Sequence, residues 1–293
     1  MANLGFVGLG LMGNRIVKRL LDAGHQVAGY NRTQAKAQAL IEAGMRWCPT
    51  PCEVAQAADI TFSMVTDTAA LSSIADGPDG VLAGLTPGKI YVDMSTVSPR
   101  LIRGLAERVR AVGAQMLEAP VSGSVPAVES GTLVIFVGGE GATLEKVRPI
   151  FETLSQKIIH VGENGKGVSM KIAINLNLAT QLLPLFEGIL LAERSGIPRA
   201  AALDALLNSV AASPAMKYRA PFIFQPPAEV WFSIAMMQKD LLLALEMGRE
   251  LGLPLPTVAH ANEMLSAARA LGYGDEDFAA LFKVAARLAG VMD

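Results

Sequence analysis

Three small groups of residues in this 293-residue chain have the types and spacing to do chemistry. The first is Gly8-Leu9-Gly10-Leu11-Met12-Gly13, directly after the apolar run Leu4-Gly5-Phe6-Val7. Such a pattern is weak on its own and gains meaning from a strand before it and a helix after it. Gly8 permits a tight turn, and Gly10 lets backbone approach a pyrophosphate. Gly13 lets the helix sit close on the strand, so that its N-terminal N–H groups meet the phosphates. The second group is Asn31-Arg32-Thr33, with Lys36 one helical turn further on. A site that grips a ribose 2′-OH usually carries Asp or Glu there. This chain has no carboxylate at that place, and Arg32 offers a planar fork where a 2′-phosphate would lie. A cap on a surface turn is the other reading of Arg32; the phosphate reading predicts NADP(H). The third group is Lys171 and Asn175, four apart and on one face of a predicted helix. A lysine in so apolar a helix costs free energy unless it is paired, reaches solvent or works.

The elements that must position these groups follow from periodicity. Ile16, Val17, Leu20 and Leu21 share one face of the helix after the glycines, which Gly24 closes. A helix over about 34–43, ended by Gly44, leads to a short strand at 45–48. Thr50-Pro51-Cys52-Glu53 then opens a helix, with Thr50 as N-cap, Pro51 in the first turn and Glu53 at the capping-box position. Residues 60–65, ending in Met64 and Val65, form a continuous apolar strand of the kind buried in parallel sheets. Further strands are expected at 90–93, 115–118, 133–137 and 157–161, with a helix from Ser98-Pro99 to near Gly113. This alternation predicts an α/β fold: an N-terminal Rossmann doubly wound parallel sheet over 1–163, with ligands at the carboxyl ends of its strands. Gly162-Glu163-Asn164-Gly165-Lys166-Gly167 breaks the pattern. An all-α C-terminal domain is expected over 164–293, including a long connecting helix that Pro184 should kink or split.

Composition narrows the function classes. Lys+Arg 25 against Asp+Glu 27 gives a net charge of −2, and no basic run supports nucleic-acid binding. Three scattered histidines and two cysteines make no metal cluster; Cys48 and Cys52 are expected to be ordinary thiols of a reducing cytoplasm. The first strand is expected directly after Met1, so no signal peptide is expected. The apolar stretch at 172–192 is interrupted by Asn175, Asn177, Thr180, Gln181, Pro184 and Glu187, so no membrane span is expected. A helix needing that much cover suggests packing against a second subunit, as a dimer or tetramer through the helical domain.

Four further segments complete a pattern: Asp93-Met94-Ser95-Thr96 with Pro99; Ala119-Pro120-Val121-Ser122-Gly123-Ser124; Gly165-Lys166-Gly167 through Met170-Lys171 to Asn175; and Lys239-Asp240-Leu241. Together with the glycine loop they resemble the β-hydroxyacid dehydrogenase family over essentially the whole chain. Within that family, Asn31-Arg32-Thr33, the Val-Ser-Gly-Ser loop and Phe232 ahead of Lys239-Asp240 look most like the glyoxylate/succinic semialdehyde reductases.

The resemblance implies a role for each residue. Lys171 is the catalytic general acid, protonating a carbonyl oxygen as hydride reaches the aldehyde carbon; a lysine of ordinary pKa (about 10.4) already holds that proton at neutral pH. Ser122 and the Gly123 amide hold the substrate carboxylate, and Thr96 lies near nicotinamide and substrate. Asn175 donates to the substrate carboxylate or holds Lys171. Asp240 stands on the substrate side, beside a cofactor-contacting Lys239, and Phe232 closes over a small substrate. Leu9, Leu11, Met12, Met64 and Val65 line the cofactor. The implied function is NADPH-dependent reduction of glyoxylate or succinic semialdehyde, with 3-hydroxyisobutyrate or tartronate semialdehyde chemistry as alternatives. A cofactor-binding scaffold without turnover is the remaining alternative, and such relatives typically lack the lysine.

Overall fold

The computed structural model describes residues 2–291, and the chain divides into two compact units after Lys171. The first unit is built on nine strands: β1 (Asn3–Val7), β2 (Gln26–Tyr30), β3 (Arg46–Trp47), β4 (Ile60–Ser63), β5 (Ile90–Asp93), β6 (Gln115–Glu118), β7 (Val121–Ser122), β8 (Leu133–Gly139) and β9 (Ser155–Gly162). They lie in the order β3-β2-β1-β4-β5-β6-β8-β7, with β9 paired to β8. From β3 to β6 every pairing is parallel. Crossover helices cover both faces, which is why β4 and β5 are buried at every position.

The sheet departs from the expected parallel pattern at one place. β8 runs antiparallel to β6 and to β7, while β9 is parallel to β8. The chain leaves β6, forms the two-residue β7 and the short helix Val125–Ser130, and returns without a full crossover. β7 carries the chain on beyond the end of β6, and residues 123–132 then turn it back, so β8 runs antiparallel to both, as in a hairpin with a helical turn. The helices Thr68–Ala75, Val81–Gly84 and Gly141–Phe151 complete the alternation. The segment expected as one helix over 34–43 starts as a tight 3₁₀ turn, Gln34–Ala37, before Gln38–Glu42 becomes α-helical.

Local chemistry explains the element ends. Thr50 accepts from the Glu53 N–H at 3.1 Å with Pro51 in the first turn, the cap read from sequence. The first helix, Leu11–Asp22, buries Gly13, Ile16, Val17 and Leu20 against the sheet.

The second unit is helical among its described residues, its longest helices being Ile234–Glu250 and Pro256–Ala270. The long connecting helix, expected to be kinked or split at Pro184, is two helices, Lys166–Thr180 and Leu182–Arg194, with the break at Gln181, three residues before the proline. Pro184 falls in the first turn of the second helix, where its missing N–H has no intrahelical partner to lose. By length and composition this stretch is the one among the described residues that would pass for a membrane span, and its second half buries Leu182, Leu183, Leu185, Phe186, Ile189 and Leu190.

Candidate active site

The glycine loop is shaped by contacts that a side chain would destroy. Gly8 has φ +99°, and a Cβ there would lie 2.3 Å from the Met64 carbonyl oxygen, so β1 and β4 approach each other through this residue. A Cβ on Gly13 would fall 2.1 Å from the Gly8 carbonyl oxygen. Gly10 differs: its φ is −74°, and a Cβ would meet nothing within 4 Å. Space therefore opens over Gly10, at the start of a twelve-residue helix whose N-cap makes no side-chain hydrogen bond and whose first turn holds no acid. Open N–H groups, a positive dipole end and absent carboxylates fit a bound pyrophosphate.

Asn31 ties this loop to the end of β2. Its Oδ1 accepts from the Leu9 N–H at 3.0 Å, and its Nδ2 donates to the Thr33 carbonyl at 2.9 Å. An aspartate here would keep the first bond and lose the second, because a carboxylate cannot donate. Arg32 and Lys36 are exposed beside it, with no ion pair formed by Arg32 among the described residues.

Beneath the ends of β4 and β5 lies a buried polar chain that sequence reading did not single out as a unit. Ser63 Oγ donates to Asp93 Oδ1 at 2.6 Å, so at 2.8 Å the Tyr91 hydroxyl must donate to Ser63. Burial pushes the Tyr91 phenol well above its ordinary pKa, the Asp93 charge adding to it, which keeps that proton in place. Ser95 Oγ donates to Asp93 Oδ1 at 2.8 Å and accepts from the Val65 N–H at 2.9 Å. Asp93 thus holds both Val65 and the segment leading to the half-buried Thr96. A carboxylate ending an otherwise apolar buried strand was the available signal.

Ser122 is half-buried in β7, opposite Val134 of β8. Gly123 follows at φ +117°, exposed, where a side chain would strike Ala127 and Leu133. Lys171 is half-buried, on the helix that leaves the last sheet strand.

In the second unit the structure brings Asn175, Lys239 and Asp240 together although 65 residues separate the first and last. Asn175 Nδ2 donates to Asp240 Oδ2 at 2.5 Å, and Lys239 Nζ lies 2.8 Å from Asp240 Oδ1. Asn175 and Asp240 are 2% and 1% exposed, so this carboxylate needs both partners. One Asn175 N–H is therefore committed to Asp240, and its Oδ1 is buried without a partner among the described residues. Phe232 is half-buried just before the same helix, its ring edge-on to Phe278 at 6.1 Å. Its carbonyl accepts from the Phe278 N–H at 3.0 Å, and the neighbouring Ser233 caps the helix through Met236. Among the described residues no cluster of three or more His, Cys, Asp or Glu side chains is placed to hold a metal ion.

Comparison with known proteins gives a consistent picture. Residues 3–162 match the family described as the NAD-binding domain of 6-phosphogluconate dehydrogenase. Residues 165–285 match the NAD-binding family of NADP-dependent 3-hydroxyisobutyrate dehydrogenase. The cytokine-like nuclear factor N-PAC of Homo sapiens is 37% identical over 280 residues, covering 96% of this chain and 51% of its own length. The chain thus spans about half the length of those relatives. Glyoxylate/succinic semialdehyde reductase 1 of Arabidopsis thaliana is 35% identical over 96% of this chain and 97% of its own. Among solved structures, the 3-hydroxyisobutyrate dehydrogenase of Mycobacterium tuberculosis with L-serine superposes with a TM-score of 0.86 at 29% identity, covering 97% of this chain and 99% of that one. With a glycine loop and helix N-terminus that fit a dinucleotide phosphate, and with both segments matched in order, the chain belongs to the β-hydroxyacid dehydrogenase family and carries its NAD(P)(H)-binding fold.

Proposed function

We propose that this protein is an NADPH-dependent reductase of a short aldehyde acid, glyoxylate or succinic semialdehyde, that yields the corresponding hydroxy acid. The observation that carries the reading is Lys171: a half-buried ammonium at the head of the helix that follows a dinucleotide-binding sheet. NADPH, when bound, supplies hydride to the aldehyde carbon. Lys171 gives its proton to the carbonyl oxygen, so that hydride and proton together account for the new C–H and O–H bonds. Ser122 Oγ and the Gly123 N–H hold the substrate carboxylate, and Thr96 orients the reacting end. Asn175 gives one amide N–H to Asp240 and keeps its second N–H for the substrate carboxylate and its Oδ1 for the Lys171 ammonium. Lys239 belongs to the cofactor side, Asp240 fixes Lys239 and Asn175, and Phe232 limits the space for the substrate.

The absence of a carboxylate after β2, with Arg32 and Lys36 exposed there, supports NADP(H) over NAD(H). The plant reductase, similar over nearly its full length, supports the substrate class. The apolar character of the stretch at 172–192, which asks for cover on several sides, supports a homo-oligomer, a dimer or tetramer. The two buried free thiols, Cys48 and Cys52, are in keeping with a reducing cytoplasmic location. The deciding experiment is oxidation of NADPH and NADH with glyoxylate, succinic semialdehyde, tartronate semialdehyde and methylmalonate semialdehyde, compared as kcat/KM. The reading expects the highest value with NADPH and one of the first two. Cofactor binding without turnover across the panel would replace it with a scaffold role.

A further inference from the structure

Glu118 is the last residue of β6, it is 0% exposed, and the reaction proposed above does not use it. Its carboxylate is nevertheless fully engaged. Oε1 accepts from the Gly165 N–H at 2.5 Å and from the Gly167 N–H at 3.0 Å. Oε2 accepts from Asn164 Nδ2 at 2.9 Å. Asn164 in turn donates to the Met116 carbonyl at 3.2 Å, so the turn is fastened to β6 twice. The backbone around the carboxylate leaves room for nothing else. A Cβ on Gly138 would lie 2.0 Å from Oε1, and one on Gly167 would lie 2.7 Å from the Phe136 carbonyl and 3.2 Å from Glu118 Cγ. These glycines are the walls of a slot that fits one carboxylate.

The slot sits where two functional segments start. Four residues after Glu118 the chain reaches Ser122, and four residues after Gly167 it reaches Lys171. Helix N-termini are ordinarily capped by a side chain of their own first residues. Here an acceptor for the first-turn N–H groups comes from a sheet strand 47 to 49 residues away in sequence, so the start of the helix is referred to the sheet itself. In a helix, residue 171 lies one turn beyond residue 167, on the same face. Fixing the Gly167 N–H therefore fixes the height and rotation at which the Lys171 side chain leaves the helix. The positive end of the helix dipole and three N–H donors offset part of the cost of burying the charge.

We propose that Glu118 is a positioning residue for Lys171: its carboxylate locks the first turn of the Lys166–Thr180 helix to the end of β6 and so holds the ammonium at a fixed place relative to the Ser122–Gly123 loop. The proposal rests on the reading of Lys171 as proton donor. Glu118 does not touch the reacting atoms.

Glu118→Gln tests it, because an amide presents one acceptor oxygen and sets its NH2 against a donor. Two quantities are read on the full-length protein. Amide hydrogen exchange over residues 164–171 should accelerate at least tenfold. With NADPH and the best aldehyde acid, kcat should fall at least tenfold while KM for NADPH stays within twofold. If Glu118→Gln does not fold, Asn164→Ala, which removes one donor and leaves the carboxylate, should move both quantities in the same directions by a smaller factor. Unchanged exchange overturns the proposal. Accelerated exchange with unchanged kcat also overturns it, leaving Glu118 as a structural latch only. A wild-type protein that turns over no aldehyde acid defeats the proposed function instead, and the exchange measurement then decides by itself whether Glu118 fixes the turn.

Discussion

At the scale of single residues, the assignments rest on what each side chain can donate, accept or carry. Lys171 is the one proposed to move a proton, and removing it should leave the cofactor fold intact. Lys171→Ala is expected to lower kcat on the order of 10²–10⁴-fold, with NADPH affinity measured by fluorescence titration unchanged. Near-normal turnover would end the assignment. Arg32 is exposed at the end of β2, without a carboxylate near it in sequence to accept a ribose 2′-OH. A guanidinium bonded to a phosphate is worth roughly 1.5–3 kcal/mol, so Arg32→Asp should raise KM for NADPH by about tenfold or more and spare NADH. Equal losses with both cofactors would return Arg32 to the role of a surface cap.

At the scale of elements, the strand–turn–helix at the N-terminus separates folding from binding within one glycine motif. Gly13 faces the Gly8 carbonyl at a distance no Cβ tolerates, whereas Gly10 faces open space at an ordinary negative φ. Gly13→Ala must move backbone and is expected to cost about 1–3 kcal/mol of stability, seen as a lower Tm. Gly10→Ala should leave Tm unchanged or slightly raised, since alanine reduces the freedom of the unfolded chain. It should nonetheless weaken NADPH binding at least tenfold, because the space over Gly10 is where the pyrophosphate is expected. A Gly10→Ala protein with full affinity would show that the phosphate approaches elsewhere. The same element logic explains the split at Gln181: Thr180 Oγ bonds back to the Leu176 carbonyl at 2.9 Å and Gln181 Nε2 to the Asn177 carbonyl at 3.0 Å, which helps satisfy the carbonyls near the end of the first helix.

At the scale of the whole molecule, the burial of Glu118 sets a pH dependence of stability. Burial raises its pKa from 4.5 to about 7, opposed by the hydrogen bonds from Asn164, Gly167 and Gly165. An acid whose folded pKa is raised binds more protons folded than unfolded, so its contribution to stability falls as pH rises from about 4.5 to about 7. The loss amounts to about 3 kcal/mol above neutrality. Unfolding by denaturant should therefore show the wild type losing stability relative to Glu118→Gln between pH 5 and 8, and a constant difference would contradict it. The sequence by itself determined the strands other than β7, the glycine turns, the Thr50 cap and the residue types of the site, because strand period, left-handed glycine and capping are properties of a few neighbouring residues. The antiparallel entry of β8, the grip of Asn31 on Leu9, the pairing of Asn175 with Asp240 and the slot for Glu118 were decided only by the tertiary structure. Each joins residues at least 12 positions apart, and which buried donor meets which acceptor depends on how the sheet and helices pack, a distance that no local pattern carries.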